Sequence, residues 1–200
     1  MRELIRNRLQ HSLARAMVHP EISAPAGDRH VLSGVRGFRA AAVLVPIIDY
    51  PDGMTVLLTR RPDHMNKHAG QVAFPGGRVD PADAHPVAAA LREAEEEVGL
   101  LPHHVEIVGR LDDYHTGTGF QITPVVGIVT PGLTLKPCDE EVAEIFEVPL
   151  SFLMNPENHL RKETEFNGRL AQYYAMPYKD YNIWGATAGM LVNLYNRLYD

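Results

Sequence analysis

Glu93, Glu96 and Glu97 fall within one short stretch, Leu91-Arg92-Glu93-Ala94-Glu95-Glu96-Glu97-Val98-Gly99-Leu100, soon after the glycine turn Phe74-Pro75-Gly76-Gly77. On a helix advancing about 100° per residue, the three carboxylates gather on one side. Val87, Leu91, Ala94 and Val98 form an apolar stripe on roughly the opposite side. Crowded carboxylates repel one another and are costly to keep ionised, so the arrangement calls for a cation. Oxygen-only ligands suit Mg²⁺ or Mn²⁺. Such ions commonly accompany phosphates, which points to metal-assisted hydrolysis of a phosphate ester or pyrophosphate.

The elements that must position these groups are legible around them. Pro86 suits a first helical turn, where its missing N–H costs nothing, and Gly99 suits the end. Arg92 precedes Glu96 by four positions and can hold that carboxylate. Upstream, Ala41 to Ile48 is a continuous apolar run that reads as a buried strand. The turn signal Tyr50-Pro51-Asp52-Gly53 separates it from a second strand, Met54 to Thr59, as in a hairpin. Residues 60 to 71 are polar, basic and histidine-bearing, and are expected as a surface loop. Val105 to Leu111 and Ile122 to Val129 read as further strands. Asp139 to Phe146 reads as a short helix, Leu150 to Met154 as another turn of helix, and Tyr173 to Met176 as an edge strand. Ala186 to Leu198 reads as a closing helix with Leu191, Leu194, Tyr195 and Leu198 on one face. Leu4, Ile5, Leu9 and Leu13 give an amphipathic helix at the start, followed by a loop-rich lead-in. The expected division is residues 1–36 as helix and lead-in, and 37–200 as the main domain. Strands with helices interspersed imply an α/β fold, a mixed sheet covered by helices.

Length and composition bound the rest. A chain of 200 residues is large enough for one domain with a substantial core, and 22% charged residues is ordinary for a globular protein. The net charge of −6 argues against general affinity for nucleic acid, which wants a basic face. The single cysteine, Cys138, excludes an intrachain disulfide framework and fits a reducing compartment. The charged opening Met1-Arg2-Glu3-Leu4-Ile5-Arg6-Asn7-Arg8 lacks the apolar core of a signal peptide. No apolar run reaches the roughly 20 residues that span a bilayer. A cytoplasmic protein without membrane partners is expected. The ten histidines raise zinc. His64 and His68 are four apart, but their segment is not helical in pattern, and no cysteine or acid completes a tetrahedral set.

The chain resembles the Nudix hydrolase family. Its signature runs Gly, five residues, Glu, seven residues, Arg-Glu, an apolar residue, any residue, Glu-Glu, any residue, Gly, an apolar residue. Arg92 to Leu100 matches the second half in full. In the first half the spacing places the signature Glu at Ala84 and the signature Gly at Arg78. The glycine present is Gly77, so the turn is one residue longer, and Asp83 stands near the place of the missing acid. The resemblance implies an α/β/α sandwich and hydrolysis of a nucleoside diphosphate linked to another moiety. It also implies Glu93 and Glu97 as metal ligands, with Glu96 supplementing them and the Gly77 carbonyl adding another. Arg92 would orient the helix, and Gly76 and Gly77 would let the backbone approach the phosphates. For the general base the resemblance allows a helix glutamate or one on a downstream loop, where the acidic run Asp139 to Glu144 offers Glu141 first and Glu144 next.

A second pattern, Leu57-Leu58-Thr59-Arg60-Arg61, then Gly70, then Phe74-Pro75-Gly76-Gly77, is similar to the motif of the coenzyme A pyrophosphatase branch. Two positions depart: Pro62 stands for Ser or Ala, and Asn66 for a second Arg. The longer glycine turn and the closing Ile183-Trp184-Gly185-Ala186-Thr187-Ala188-Gly189-Met190 also resemble this branch. The implied substrate is coenzyme A or its thioesters. Arg61, Lys67 and His68 would then read the 3′-phosphate, with Arg60 beside them, and Phe74 and Trp184 would serve as pocket wall. Other Nudix activities on ADP-ribose or NADH, and a non-catalytic nucleotide-binding module, are the competing expectations. A homodimer is compatible with the resemblance.

Overall fold

The computed structural model describes residues 1–17, 37–64, 68–166 and 169–200. The loop-rich lead-in of residues 18–36 and the calls on Asn66 and Lys67 lie outside them. The elements in chain order are helices α1 (Arg2–Leu9) and α2 (Leu13–Ala16), and strands β1 (Arg39–Ile48), β2 (Thr55–Arg60), β3 (Val72–Ala73) and β4 (Gly76–Arg78). Helix α3 (Pro86–Val98) follows, then β5 (Val105–Arg110), β6 (Tyr114–His115), β7 (Phe120–Val129), β8 (Glu144–Pro149) and α4 (Leu150–Leu153). The chain closes with β9 (Leu160–Phe166), β10 (Arg169–Tyr178), β11 (Tyr181–Trp184) and α5 (Gly185–Tyr199).

The main sheet is mixed. Its path runs β3-β2-β1-β7-β5, with β4 against β1, β6 against β7 and β8 against β2. Strands β1 and β7 pair in parallel over their whole length, Arg39 opposite Phe120 through Ile48 opposite Val129. Both are covered on both faces, which explains their near-continuous apolar sequence. Successive side chains of β1 alternate between two cores, as a strand's period of two requires. Ala42 and Leu44 pack with Val87, Ala90, Ala94 and Val98 of α3. Val45 and Ile47 pack on the other side with Ile5 and Leu9 of α1 and Leu191, Leu194 and Leu198 of α5. The result is helix, sheet, helix: an α/β/α sandwich. The apolar face of α1 is thus used inside its own chain, and Arg2 and Arg6 clamp it through Glu106 at 2.9 and 2.7 Å.

Two expectations need correction. Residues 139–141 form a turn, and the chain then enters β8, which pairs along β2 from Arg60 opposite Glu144 to Thr55 opposite Pro149. The available sheet edge overrides the helix expected there. Tyr173 to Met176 lies in the middle strand of a second, three-stranded antiparallel sheet, β11-β10-β9, and not at an edge. Among the described residues no helix is long and apolar enough to cross a membrane.

Candidate active site

Helix α3 begins where the His85 imidazole accepts from the Ala88 N–H at 3.1 Å, with Pro86 as its first residue. It ends at Gly99, whose φ of 69° is the left-handed conformation that glycine adopts without penalty. Between these caps the three glutamates diverge more than the angular reading implies. Glu96 is 60% exposed and points outward. Glu97 is only 5% exposed, two turns after the fully buried Ala90 and on the same face, so it borders the core. The Gly76 N–H donates to the Glu97 carboxylate at 3.2 Å. Glu93 lies against Gly77, where an added Cβ would sit 2.5 Å from its carboxyl carbon. The glycine pair is therefore a steric requirement. A side chain on Gly77 would displace Glu93, and one on Gly76 would meet the Ala42 carbonyl at 2.4 Å.

Arg92 organises the exposed side of this helix. Its guanidinium donates to Glu93 at 2.9 Å, to Glu96 at 3.0 Å and to Asp83 at 3.0 Å. Asp83 is 7% exposed and also accepts from the Asp80 N–H at 2.8 Å. The acid displaced by one position in the sequence thus anchors the arginine and the loop ahead of the helix. Asp83 first, then Glu93, holds the Arg92 guanidinium firmly charged.

Burial pushes the Glu97 carboxyl up to about 7, and Glu93 and Glu141 push the same way. The Gly76 N–H and Arg61 oppose this. Burial also raises Glu93, with Arg92 offsetting it. Glu141 acts on both groups, so the turn at 139–141 lies within electrostatic reach of the carboxylates. The cause is local: the Cys138 N–H donates to the Glu97 carbonyl at 2.9 Å, and the Glu141 N–H donates to the Cys138 carbonyl at 3.0 Å. The turn is therefore hung from the end of α3. The Ala143 N–H donates to the Arg60 carbonyl at 2.9 Å, which ties the same turn to the end of β2. Arg61 follows β2, within electrostatic reach of Glu97, and its Nε is buried with no hydrogen-bond partner among the described residues. Glu144 is turned elsewhere and accepts from the Tyr181 hydroxyl at 2.5 Å.

The residues present fit a hard divalent cation. Glu97 is a buried carboxylate that the Gly76 N–H and Arg61 only partly offset, and all the nearby donors are oxygens. Among the described residues no three His, Cys, Asp or Glu side chains form a ready-made metal cage. Mg²⁺-type sites need only one or two carboxylates completed by water and phosphate.

On the other side of Gly76 lies a cavity of about 410 Å³. Its wall includes Val43, Phe74, Tyr114, Ile122, Tyr173 and Trp184, with His68 and Gln71 among its polar members. The His68 Nδ1 lies 2.8 Å from the Gln71 side-chain oxygen. Burial raises the Tyr114 hydroxyl, so that ring is neutral at ordinary pH. Phe74 and Trp184 are wall residues, Phe74 fully packed and Trp184 part exposed. Tyr114 carries no local sequence signal and joins this wall only through the fold, whereas Met190 closes the segment Ile183 to Met190 and Tyr173 opens the strand expected from Tyr173 to Met176.

A Nudix-domain family model matches residues 38–172. The uncharacterized Nudix hydrolase NudL of Enterobacter sp. (strain 638) is 46% identical over 176 residues, 87% of this chain and 88% of that protein. The NudL of Escherichia coli K12 is 45% identical over 156 residues, 78% of this chain and 81% of that one. Among solved structures, the Nudix hydrolase RenU of M. smegmatis is 26% identical over 58% of this chain and 75% of its own, with a TM-score of 0.50. A MutT/nudix family protein from Enterococcus faecalis shares the fold at 17% identity, covering 82% of this chain and 62% of its own, with a TM-score of 0.51. The chain belongs to the Nudix family and is a Nudix hydrolase, a class that uses divalent metal ions and acts on small nucleotide substrates.

Proposed function

We propose that the protein hydrolyses the pyrophosphate bond of coenzyme A or acyl-CoA, with Mg²⁺ or Mn²⁺, to 3′,5′-ADP and 4′-phosphopantetheine or its acyl form. The observation that carries this reading is Arg61. It belongs to the segment resembling the coenzyme A branch, lies within electrostatic reach of Glu97, and its Nε is buried with no hydrogen-bond partner among the described residues. A rigid cationic donor there suits a substrate phosphate.

A bound divalent ion would supply charge neutralisation on the pyrophosphate oxygens and acidify an attacking water. Glu93 and Glu97 would hold that ion, Glu96 and the Gly77 carbonyl assisting. Arg92 keeps Glu93 aligned while Asp83 fixes Arg92. Glu141 accepts the proton as a water oxygen attacks one phosphorus. The bond from that phosphorus to the bridging oxygen breaks, and the second phosphate leaves with the electron pair. Gly76 and Phe74 shape the backbone and wall where the substrate enters. Arg61 and Lys67 bind the substrate's phosphates, Lys67 assigned from sequence alone, and His68 contacts the substrate from the wall of the cavity beside Gly76.

Product analysis by mass spectrometry, with coenzyme A, dephospho-coenzyme A, ADP-ribose and NADH in parallel, tests this. Fast release of 4′-phosphopantetheine from coenzyme A, and slower release from the dephospho form, is expected. Preference for ADP-ribose or NADH overturns the substrate assignment and keeps the chemistry. Tight binding without turnover of any of the four overturns the enzyme reading.

A further inference from the structure

We propose that the cavity beside Gly76 holds the acyl-pantetheine arm of the substrate, making acyl-chain length the determinant of specificity. The inference rests on the coenzyme A reading and adds which arm of that substrate goes where.

Three observations carry it. The first is continuity. Gly76 lines the cavity and donates its N–H to Glu97, so one residue joins the carboxylate side to the cavity side. A group attached to a pyrophosphate held at Glu93 and Glu97 enters the cavity directly.

The second is charge. Among the described residues lining the cavity there is no Asp, Glu, Lys or Arg, and the wall is mainly carbon. Moving an unpaired charge into such surroundings is costly. The 3′-phosphorylated nucleoside carries a dianion, whereas the pantetheine arm is neutral and ends in a thiol or an apolar acyl chain. Charge is found next door, in a separate cleft of about 340 Å³ lined by Arg60, Gln71, Asp180 and Asn182. Trp184 borders both spaces.

The third is size. Pockets that hold drug-sized ligands run from about 300 to 1,000 Å³, and about 410 Å³ has room for one arm rather than the whole molecule. Val43, Ile122, Met190 and the rings of Phe74, Tyr173 and Trp184 supply apolar contact for a chain. Thr116, Thr118 and Thr164 supply hydroxyls for the amides of pantetheine.

Trp184 is the chain's single tryptophan and borders both spaces, so its fluorescence reports occupancy of either, and dependence on acyl-chain length singles out the cavity. The experiment titrates the full-length protein, with EDTA present to prevent turnover, with coenzyme A, acetyl-, butyryl-, hexanoyl- and octanoyl-CoA, and with 3′,5′-ADP. A saturable change with the acyl esters is expected. Affinity should rise about three- to fourfold per added methylene until the cavity is full. 3′,5′-ADP, which lacks the arm, gives the reference response for the neighbouring cleft alone. Affinity independent of chain length overturns the proposal.

Ala186→Phe fills the cavity and should abolish the chain-length gain. Met190→Ala enlarges it and should move the optimum to longer chains, which keeps the test decisive if the first variant does not fold. An unmoved optimum in folded Met190→Ala counts against the proposal. Failure of the coenzyme A reaction is distinguishable. Absence of cleavage with the chain-length response intact removes the reaction and leaves the cavity assignment standing. Cleavage of coenzyme A with a flat profile does the reverse.

Discussion

The two sides of the Gly76-Gly77 turn are built on opposite principles. Toward α3 the chain concentrates charge: Glu93, Glu96, Glu97 and Glu141 face or flank a small space, with Arg61 and Arg92 at its borders. Toward β3 and α5 the described residues supply no Asp, Glu, Lys or Arg, leaving mainly carbon with hydroxyls, amides and rings, the His68 imidazole among them. The backbone between them touches both. Under the proposed function, a site divided in this way would separate the reacting phosphates from the group that distinguishes one substrate from another. Electrostatic stabilisation can then be strong on one side without dictating what binds on the other.

The charged side should be the most sensitive to a single atom. Glu97→Gln retains an acceptor for the Gly76 N–H but removes a ligand charge. It should lower kcat by about 10³-fold while coenzyme A binding in EDTA changes little. Steady-state rates and the metal-free titration check this together. Unchanged turnover would show that the carboxylate side is not the reacting side.

The two glycines sharpen the comparison because their neighbours differ in stiffness. An added Cβ at Gly76 meets the Ala42 carbonyl oxygen at 2.4 Å and the Val43 Cα at 2.6 Å, backbone atoms of a central strand that cannot yield. Gly76→Ala should therefore cost about 3 kcal/mol of stability. At Gly77 the collision is with the Glu93 carboxyl, the far end of a flexible side chain. Gly77→Ala should leave the denaturation midpoint within about 1 kcal/mol of wild type and lower activity at least tenfold. Chemical denaturation alongside kinetics separates the two, and the reverse pattern would misassign the turn.

The same division governs what was legible in the sequence. The carboxylate side is local: Pro86, the glutamate spacing and Gly99 lie along one helix, so helical geometry alone brings them near one another. Even there, α3 is more asymmetric than the angles implied. Glu97 shares a face with Ala90, and burial of that face depends on neighbours that no spacing within the helix records. The cavity side was legible only in pieces. Phe74 and the closing segment Ile183 to Met190 stood out, but the wall also draws on β1, β3, β6, β7, β9 and β10, and Tyr114 and Thr164 have unremarkable sequence neighbours. Residues 139–146 were misread for a related reason. Val142, Ile145 and Phe146 fit a helical face, but the edge of β2 offered a ladder to Glu144 through Pro149. Pairing with a distant strand outweighed local pattern. The middle position of β10 was hidden by the charged sequence of β9, whose Arg161, Lys162, Glu163 and Glu165 are all exposed.

Burial of Glu97 makes the contrast measurable by pH. Its carboxyl is raised to about 7 in the fold from an ordinary 4.5. A raised group favours the folded state fully below 4.5, and that contribution is lost as pH rises through 7. Metal-free protein should accordingly lose up to about 3 kcal/mol of stability from this residue between pH 4.5 and 7.5. The difference between wild type and Glu97→Gln in denaturant midpoints across that window isolates the group. Mg²⁺ should restore stability more at pH 8 than at pH 5, since only the ionised carboxylate binds it. A difference that is flat with pH would mean that Glu97 is already compensated without metal.

The smallest effect concerns the base. Glu141 and Glu144 are three residues apart, yet they belong to different environments. Glu141 sits in the turn anchored to the end of α3 and acts on both Glu93 and Glu97. Glu144 is the first residue of β8, and its carboxylate accepts from the Tyr181 hydroxyl, away from the metal-binding face. Glu141→Gln should lower kcat about a hundredfold, the low end of what a positioned proton acceptor contributes. KM should stay nearly constant, because the residue holds neither substrate nor metal in this assignment. Glu144→Gln should leave kcat within twofold, since the amide oxygen can still accept from Tyr181. The pH profile decides between removal of a base and simple distortion. In Glu141→Gln the acidic limb of kcat should shift or flatten, whereas displacement of the turn would lower the whole profile without changing its shape. If Glu144→Gln gave the larger loss, the proton acceptor would be Glu144. The turn at 139–141 would then have to swing during turnover to bring it across, a movement opposed by both the Cys138 and the Ala143 hydrogen bonds.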